Sequence, residues 1–194
     1  MKLSLRKVIS EKQLAEGCRN NDRKIQRQLY EHFSPLMMTI CRRYINDSSQ
    51  AEEVMLGGFM KVFKKIDQYE GNGSFEGWIR RIMVNESLSW LRKHKTLSLE
   101  VSLEHAEHTY DQEIADHLVT NKDLMDMIAQ LPHGYRAVFN LYAIEGYSHK
   151  DIADKLGITE STSKSQLSRA RQMLQRNLAA TQNEAKKKTC SHEA

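Results

Sequence analysis

The sequence predicts an all-α fold of two small helical domains joined by an acidic linker, and three observations predict it. Apolar residues recur at helical spacing through most of the chain, and breakers are scarce, with 2 prolines and 9 glycines in 194 residues. The periodicity then lapses once, in mid-chain, over a stretch rich in carboxylates. The domains fall at 10–95 and 118–178, the linker at 96–117, and a disordered tail at 179–194.

The first periodic stretch runs from Ile25 to Tyr44, carried by Leu29, Phe33, Leu36, Met37 and Ile40, with Pro35 as a point of bending. The second spans Ala51 to Ile66, with Val54, Met55, Phe59, Val62 and Phe63 on one side. Residues 67–74 (DQYEGNGS) form a loop by composition. A third helix from Phe75 to about Arg92 carries Trp78, Ile79, Ile82, Met83, Leu88 and Leu91, and Trp78, Ile82 and Leu91 are expected in the core. Beyond the linker, Leu124, Met127, Ile128 and Leu131 mark a helix that stops at Pro132. Arg136 to Glu145 is the next, built around Val138, Phe139, Leu141, Tyr142 and Ile144 and ended by Gly146. Ser148 caps a short helix to Leu156, and Thr159 caps a longer one to about Leu178.

A net charge of +4 conceals segregation. Arg80, Arg81, Arg92, Lys93 and Lys95 stand against Glu86 alone, whereas the stretch from Ser98 to His117 holds Glu100, Glu104, Glu107, Asp111, Glu113 and Asp116 with no Lys or Arg. Basic surfaces separated by an acidic connector suit polyanion binding. Cys18, Cys41 and Cys190 are scattered and odd in number, which reads as reduced thiols. No apolar run approaches the ~20 residues of a membrane span. These features predict a soluble, cytoplasmic chain with no stable membrane insertion. His105 and His108 lack a third metal ligand, and no Walker-type loop, GxSxG or clustered acid pair is present, so neither a metal, a cofactor nor an enzyme active site is expected.

The most specific local pattern lies at Ser148–Leu174, SHKDIADKLGITESTSKSQLSRARQML. Ile152, Ala153 and Leu156 form the inner face of a first helix, Gly157 permits a tight turn, Ile158 plugs the core and Thr159 starts a second helix. This is a helix-turn-helix. Leu167, Ala170 and Leu174 point inward. Ser161, Thr162, Lys164, Ser165, Ser168 and Arg169 are the candidates for contact with duplex DNA, because small hydroxyls let a helix sit deep in a major groove while Lys and Arg reach guanine edges or phosphates. Ser163 departs from the pattern, being polar where an inward aliphatic is expected. In the first domain, Gly71, Asn72 and Ser74 of the loop, with Arg80, Arg81 and Asn85 on the following helix, form a candidate grip for a single strand.

Residues 51–95, AEEVMLGGFMKVFKKIDQYEGNGSFEGWIRRIMVNESLSWLRKHK, resemble the second conserved region of the extracytoplasmic-function sigma factors. LPHGYRAVFNLYAIEGYSHKDIADKLGITESTSKSQLSRARQML resembles their fourth region. Order, spacing and length also match over nearly all of residues 25–178, and the third region is absent, as is usual for this compact group. The resemblance implies an alternative sigma factor in which the Ala51–Ile66 helix docks on the clamp coiled coil of the RNA polymerase largest subunit. Glu52 and Glu53 would contribute charge there, Leu56 would lie at the contact, and Phe59 and Val62 would give apolar support. It implies that the loop at 67–75, with Arg80, Arg81 and Asn85, melts and reads the −10 element around a flipped base, and that Lys164, Ser165, Ser168 and Arg169 read the −35 element. The acidic linker would thread toward the polymerase active centre, and association with the nucleoid would accompany polymerase binding. An anti-sigma factor is an expected partner beside polymerase core and promoter DNA.

The docking helix departs from the family pattern, in which an acid, two aliphatics, Gln and an acid precede the aromatic. Here Leu56 stands for the Gln and Gly57 for the second acid, followed by Gly58. Two mid-helix glycines cost about 1 kcal/mol each relative to alanine and predict weaker docking. Two other classes fit parts of the chain. A stand-alone regulator would share the helix-turn-helix but would need a dimerisation or ligand domain at 25–95, and an adaptor would bind polymerase without opening promoters.

Overall fold

The computed structural model describes residues 10–94 and 121–190, and every regular element among them is helical. The linker at 96–117, with His105 and His108, lies outside the described residues. The chain divides into two compact units, the first ending at Trp90 and the second beginning at Leu91.

The first unit opens with a helix that the hydrophobic pattern passes over, α1 (Glu11–Arg19). A capping box starts it: the Ser10 hydroxyl accepts from the Gln13 N–H at 3.3 Å, and the Gln13 side chain accepts from the Ser10 N–H at 3.0 Å. Leu14, Ala15 and Cys18 are its buried face, packed on α2 (Arg23–Tyr44). Helix α2 begins at Asp22, whose carboxylate accepts from the N–H groups of Lys24 and Ile25, and it runs unbroken through an exposed Pro35. Leu29, Phe33, Met37, Ile40 and Tyr44 are buried, but Leu36, expected among them, is exposed.

Asp47 caps α3 (Ser48–Lys64), and a 3-10 turn follows at Ile66–Gln68. Helix α4 (Phe75–Lys93) completes the unit as far as Trp90, and its last three residues fall in the second. Of the two adjacent glycines in α3, Gly58 is buried and Gly57 exposed. A Cβ on Gly58 would lie 2.3 Å from Met83 Sδ of α4, so the missing side chain at Gly58 is what leaves room for Met83 against α3. A Cβ on Gly57 would meet nothing within 4 Å. An exposed ion pair, Lys61 to Glu86 at 2.6 Å, bridges the same two helices.

In the second unit, α5 (Asn121–Ala129), α6 (His133–Phe139) and α7 (His149–Leu156) pack with α8 (Glu160–Cys190) around Ile128, Val138, Leu141, Ile152, Leu167 and Leu174. Arg136 is almost completely buried. Its Nη1 donates to the Ala129 carbonyl at 2.7 Å, at the electronegative C-terminal end of α5, and its Nη2 sits 2.8 Å from His133 Nδ1.

Three local expectations change here. The helix placed at Arg136–Glu145 starts at His133, directly after Pro132, and widens into a π turn over Asn140–Ile144, with the Glu145 N–H reaching the Asn140 carbonyl at 2.9 Å. The wider turn shifts the register of its faces, so Tyr142 is 37% exposed and Ile144 half-buried where a regular helix would place both in the core. The tail expected to be disordered from residue 179 is helical as far as Cys190, because Ala, Gln, Glu and Lys in that stretch are strong helix formers.

The packing fixes three stability outcomes. Gly57→Ala should stabilise the first unit by about 1 kcal/mol, whereas Gly58→Leu should lose about 1–3 kcal/mol by forcing Met83 from a filled core. Urea unfolding of the two variants checks the difference, and equal effects would mean that α3 and α4 do not meet at Gly58. Arg136→Met should destabilise the second unit by about 1.5–3 kcal/mol, since it removes charge-assisted hydrogen bonds inside the unit. A thermal melt with an unshifted transition would contradict that.

Candidate nucleic-acid and partner surfaces

Between the 3-10 turn and α4 the chain makes a loop in which Gly71 (φ 81°) and Gly73 (φ 106°) hold backbone angles that side chains disfavour. Tyr69 closes it, its hydroxyl donating to the Gly73 carbonyl at 2.9 Å. Ser74 begins the next helix, its hydroxyl accepting from the Gly77 N–H at 3.2 Å. The result is an open cavity of about 300 Å³ lined by Tyr69, Asn72, Gly73, Ser74, Trp78 and Arg81, among others.

The cavity wall is aromatic. Tyr69 and Trp78 lie 5.6 Å apart between centroids, and Trp78 stacks on Phe75 at 6.0 Å with 13° between planes. Trp78, expected in the core, is therefore a half-buried wall residue, because Phe75 fills the core position beneath it. Ile82, one turn on along the same side of α4, is likewise half-buried; Leu91 is fully buried as expected. The loop is held from behind by α1. Glu11 Oε2 accepts from the Phe75 N–H at 3.1 Å, and Arg19 Nη2 donates to the Tyr69 carbonyl. Of the sequence candidates, Asn72, Ser74 and Arg81 line the cavity together. Gly71 shapes the loop without lining it, while the half-buried Arg80 and the exposed Asn85 lie on α4 outside the lining.

The outer face of α3 presents Glu52, Glu53, Leu56, Gly57 and Met60, all exposed. Leu56 is 45% exposed and Met60 70%, an apolar pair one helical turn apart. Phe59 and Val62 face the other way and are buried at 2% and 0%. They support this surface from beneath and offer nothing to a partner directly. Met60 was legible at i+4 from Leu56, but it directly follows the buried Phe59 and so reads in the sequence as part of the apolar face.

In the second unit, Ser148 and Asp151 form a capping box at the start of α7, Gly157 turns the chain at φ 69°, and the Thr159 hydroxyl accepts from the Thr162 N–H at 3.1 Å to start α8. The predicted helix-turn-helix geometry is present. Ser161, Lys164, Ser165 and Ser168 are exposed on α8, and Lys164 makes a 2.8 Å ion pair with Glu160 that solvent screens. Thr162 is half-buried, its hydroxyl 2.7 Å from that of Thr159 and so committed to the cap. Arg169 is also half-buried, with Nη1 donating to the Tyr135 hydroxyl at 3.3 Å. Ser163 is fully buried, and its hydroxyl finds His149 Nδ1 at 2.9 Å, which explains a polar residue at an inward position.

No group of three or more His, Cys, Asp or Glu able to hold a metal occurs among the described residues, and no helix there is long and apolar enough to cross a membrane. Burial pushes the Cys18 and Cys41 thiols up to about 11, so both stay protonated and unreactive at neutral pH.

Two family models match this geometry. Residues 29–96 match "Sigma-70 region 2", which takes in the cavity and α3, and residues 121–174 match "Sigma-70, region 4", which takes in the helix-turn-helix. Together they cover well over half of the chain. Among curated relatives, the ECF RNA polymerase sigma factor SigE of Mycolicibacterium smegmatis is 29% identical over 78% of this chain, which spans 61% of that protein's length. The ECF RNA polymerase sigma-E factor of Haemophilus influenzae is 24% identical over 86% of this chain and 94% of its own. SigW of Bacillus subtilis, also an ECF RNA polymerase sigma factor, is 26% identical over 92% of this chain and 98% of its own. The chain belongs to the sigma-70 family of RNA polymerase sigma factors, in the extracytoplasmic-function group, and its role is transcription initiation rather than catalysis.

Proposed function

We propose that the chain directs polymerase to promoters through three separate surfaces, each with its own chemistry. The cavity beside α4 takes an unstacked base of the −10 element. A volume of about 300 Å³ suits one planar base, the Tyr69–Trp78 wall offers a stacking face, and the Arg81 guanidinium stands at the rim for a phosphate or a base edge. That aromatic-walled cavity beside an exposed arginine is the observation that carries the reading. Gly71 and Asn72 shape the loop, and Arg80 and Asn85 extend a polar track along α4 for the flanking strand.

The outer face of α3 docks on polymerase core, with Glu52 and Glu53 as charge and Leu56 and Met60 as the apolar centre. Lys164, Ser165, Ser168 and Ser161 enter the major groove of the −35 element, Arg169 reaches a phosphate after release from Tyr135, and Thr162 keeps the helix capped. While bound to polymerase the chain is carried on the nucleoid. An anti-sigma factor covers the docking face when the chain is silent.

Two of these surfaces give separable outcomes. Arg81→Ala, at an exposed position, should reduce promoter opening about tenfold, on the scale of one lost strand contact, and leave core affinity unchanged. Permanganate reactivity of the −10 thymines reads the first and a core-binding titration the second. Full opening by Arg81→Ala would remove the cavity from the account. Gly57→Glu, where nothing crowds a new side chain, should tighten core binding several-fold by restoring helix propensity and an acid. Unchanged affinity would sink the idea that Gly57 weakens docking, and with it any preference for a polymerase-binding adaptor.

A further inference from the structure

Ser163 sits on α8 next to Lys164, with its side chain fully buried, and its hydroxyl depends on a single residue of another helix, His149 at the start of α7. A buried hydroxyl without a hydrogen bond is destabilising, so the 2.9 Å contact is a condition of this packing. The His149 ring also stacks on Tyr142 of the π turn, with centroids 4.6 Å apart and 23° between planes, and Arg171 of α8 lies 5.8 Å from the centre of the same tyrosine ring. Three elements therefore meet at one imidazole: the π turn, the first helix of the helix-turn-helix, and its second helix.

The charges around the ring favour its neutral form. Desolvation, then Lys164, with Arg171 adding to them, hold His149 below the ordinary imidazole range, and Glu160 opposes them only in part. A neutral ring with its proton on Nε2 accepts at Nδ1 from the Ser163 hydroxyl.

We propose that His149 is a positioning residue for promoter recognition: through Ser163 and Tyr142 it fixes the rotation of α8 about its own axis, and so where Lys164, Ser165 and Ser168 meet the −35 duplex. Neither His149 nor Ser163 needs to touch a base. Lys164 and Ser165 directly follow Ser163, so any roll of the helix released by losing the hydrogen bond carries straight to the reading face. This inference rests on the reading of α8 as the −35 helix.

The test uses holoenzyme assembled from the full chain and bacterial core polymerase. It measures the ratio of affinities for the chain's own promoter fragment with its −35 element intact or scrambled. His149→Phe keeps the ring stacked on Tyr142 and removes Nδ1, and it should lower the ratio about tenfold, the scale of a buried hydroxyl left unsatisfied. His149→Asn places a polar atom near the lost nitrogen and should recover most of the ratio, which a merely structural loss would not do. If His149→Phe does not fold, Ser163→Ala, which removes one hydroxyl, carries the same comparison and should also lower the ratio. A wild-type ratio near one would overturn the −35 reading and this proposal with it. A wild-type ratio well above one that survives His149→Phe or Ser163→Ala, or an Asn variant no better than Phe, would overturn the positioning role alone.

Discussion

Phe75 stands in the first turn of α4 with its side chain wholly buried, and four separate stretches of the first unit converge on it. Its ring meets Phe33 of α2 edge-on at 6.0 Å, Tyr69 of the loop at 4.7 Å and Trp78 one turn along α4. Its backbone N–H, one of those a helix start leaves unsatisfied, is taken by Glu11 of α1. The cavity exists because this one residue is fixed: Tyr69 and Trp78 form a wall only while Phe75 fills the space behind them. The core of the unit and its candidate base-binding surface thus share an aromatic layer, buried on one side and open on the other.

The same economy governs α3 and α8. Each is short of residues for a separate core and a separate working face, so the 3.6-residue period splits one helix between the two duties. On α3, Val54, Phe59 and Val62 are buried while Leu56, Gly57 and Met60 are exposed. On α8, Leu167, Ala170 and Leu174 hold the helix down while Lys164, Ser165 and Ser168 look outward. Adjacent glycines take opposite parts in this division. Gly58 lets α3 close on Met83, and Gly57 leaves an empty place on the surface.

Much of this was legible in the residues themselves, for physical reasons that also mark the limits. The helix-turn-helix could be read because Ser148, Gly157 and Thr159 are cap and turn residues whose chemistry is local, and each does its expected work. Helix α1 escaped because it is only nine residues long and its buried face holds just Leu14, Ala15 and Cys18, although these fall at helical spacing and Ser10 and Gln13 spell a capping box. With it went the backing of the loop by Glu11 and Arg19, which no pattern in residues 67–75 could suggest. Trp78 looked like core because a large aromatic at helical spacing usually is. Only the tertiary position of Phe75 decides which of the two goes under. The π turn displaced Tyr142 and Ile144 because one extra residue per turn changes a face without changing composition. Ser163 looked like an error of pattern until its partner, fourteen residues earlier in the chain, was visible.

Placing promoter opening and promoter reading on these surfaces has one direct test. Purified chain would be added to bacterial core polymerase free of other sigma factors, with genomic DNA of the source organism as template, and the 5′ ends of the transcripts mapped. The account predicts defined start sites that share two upstream elements at constant spacing, one for the cavity and one for α8. A folded chain that binds core and yields no defined start sites would contradict it.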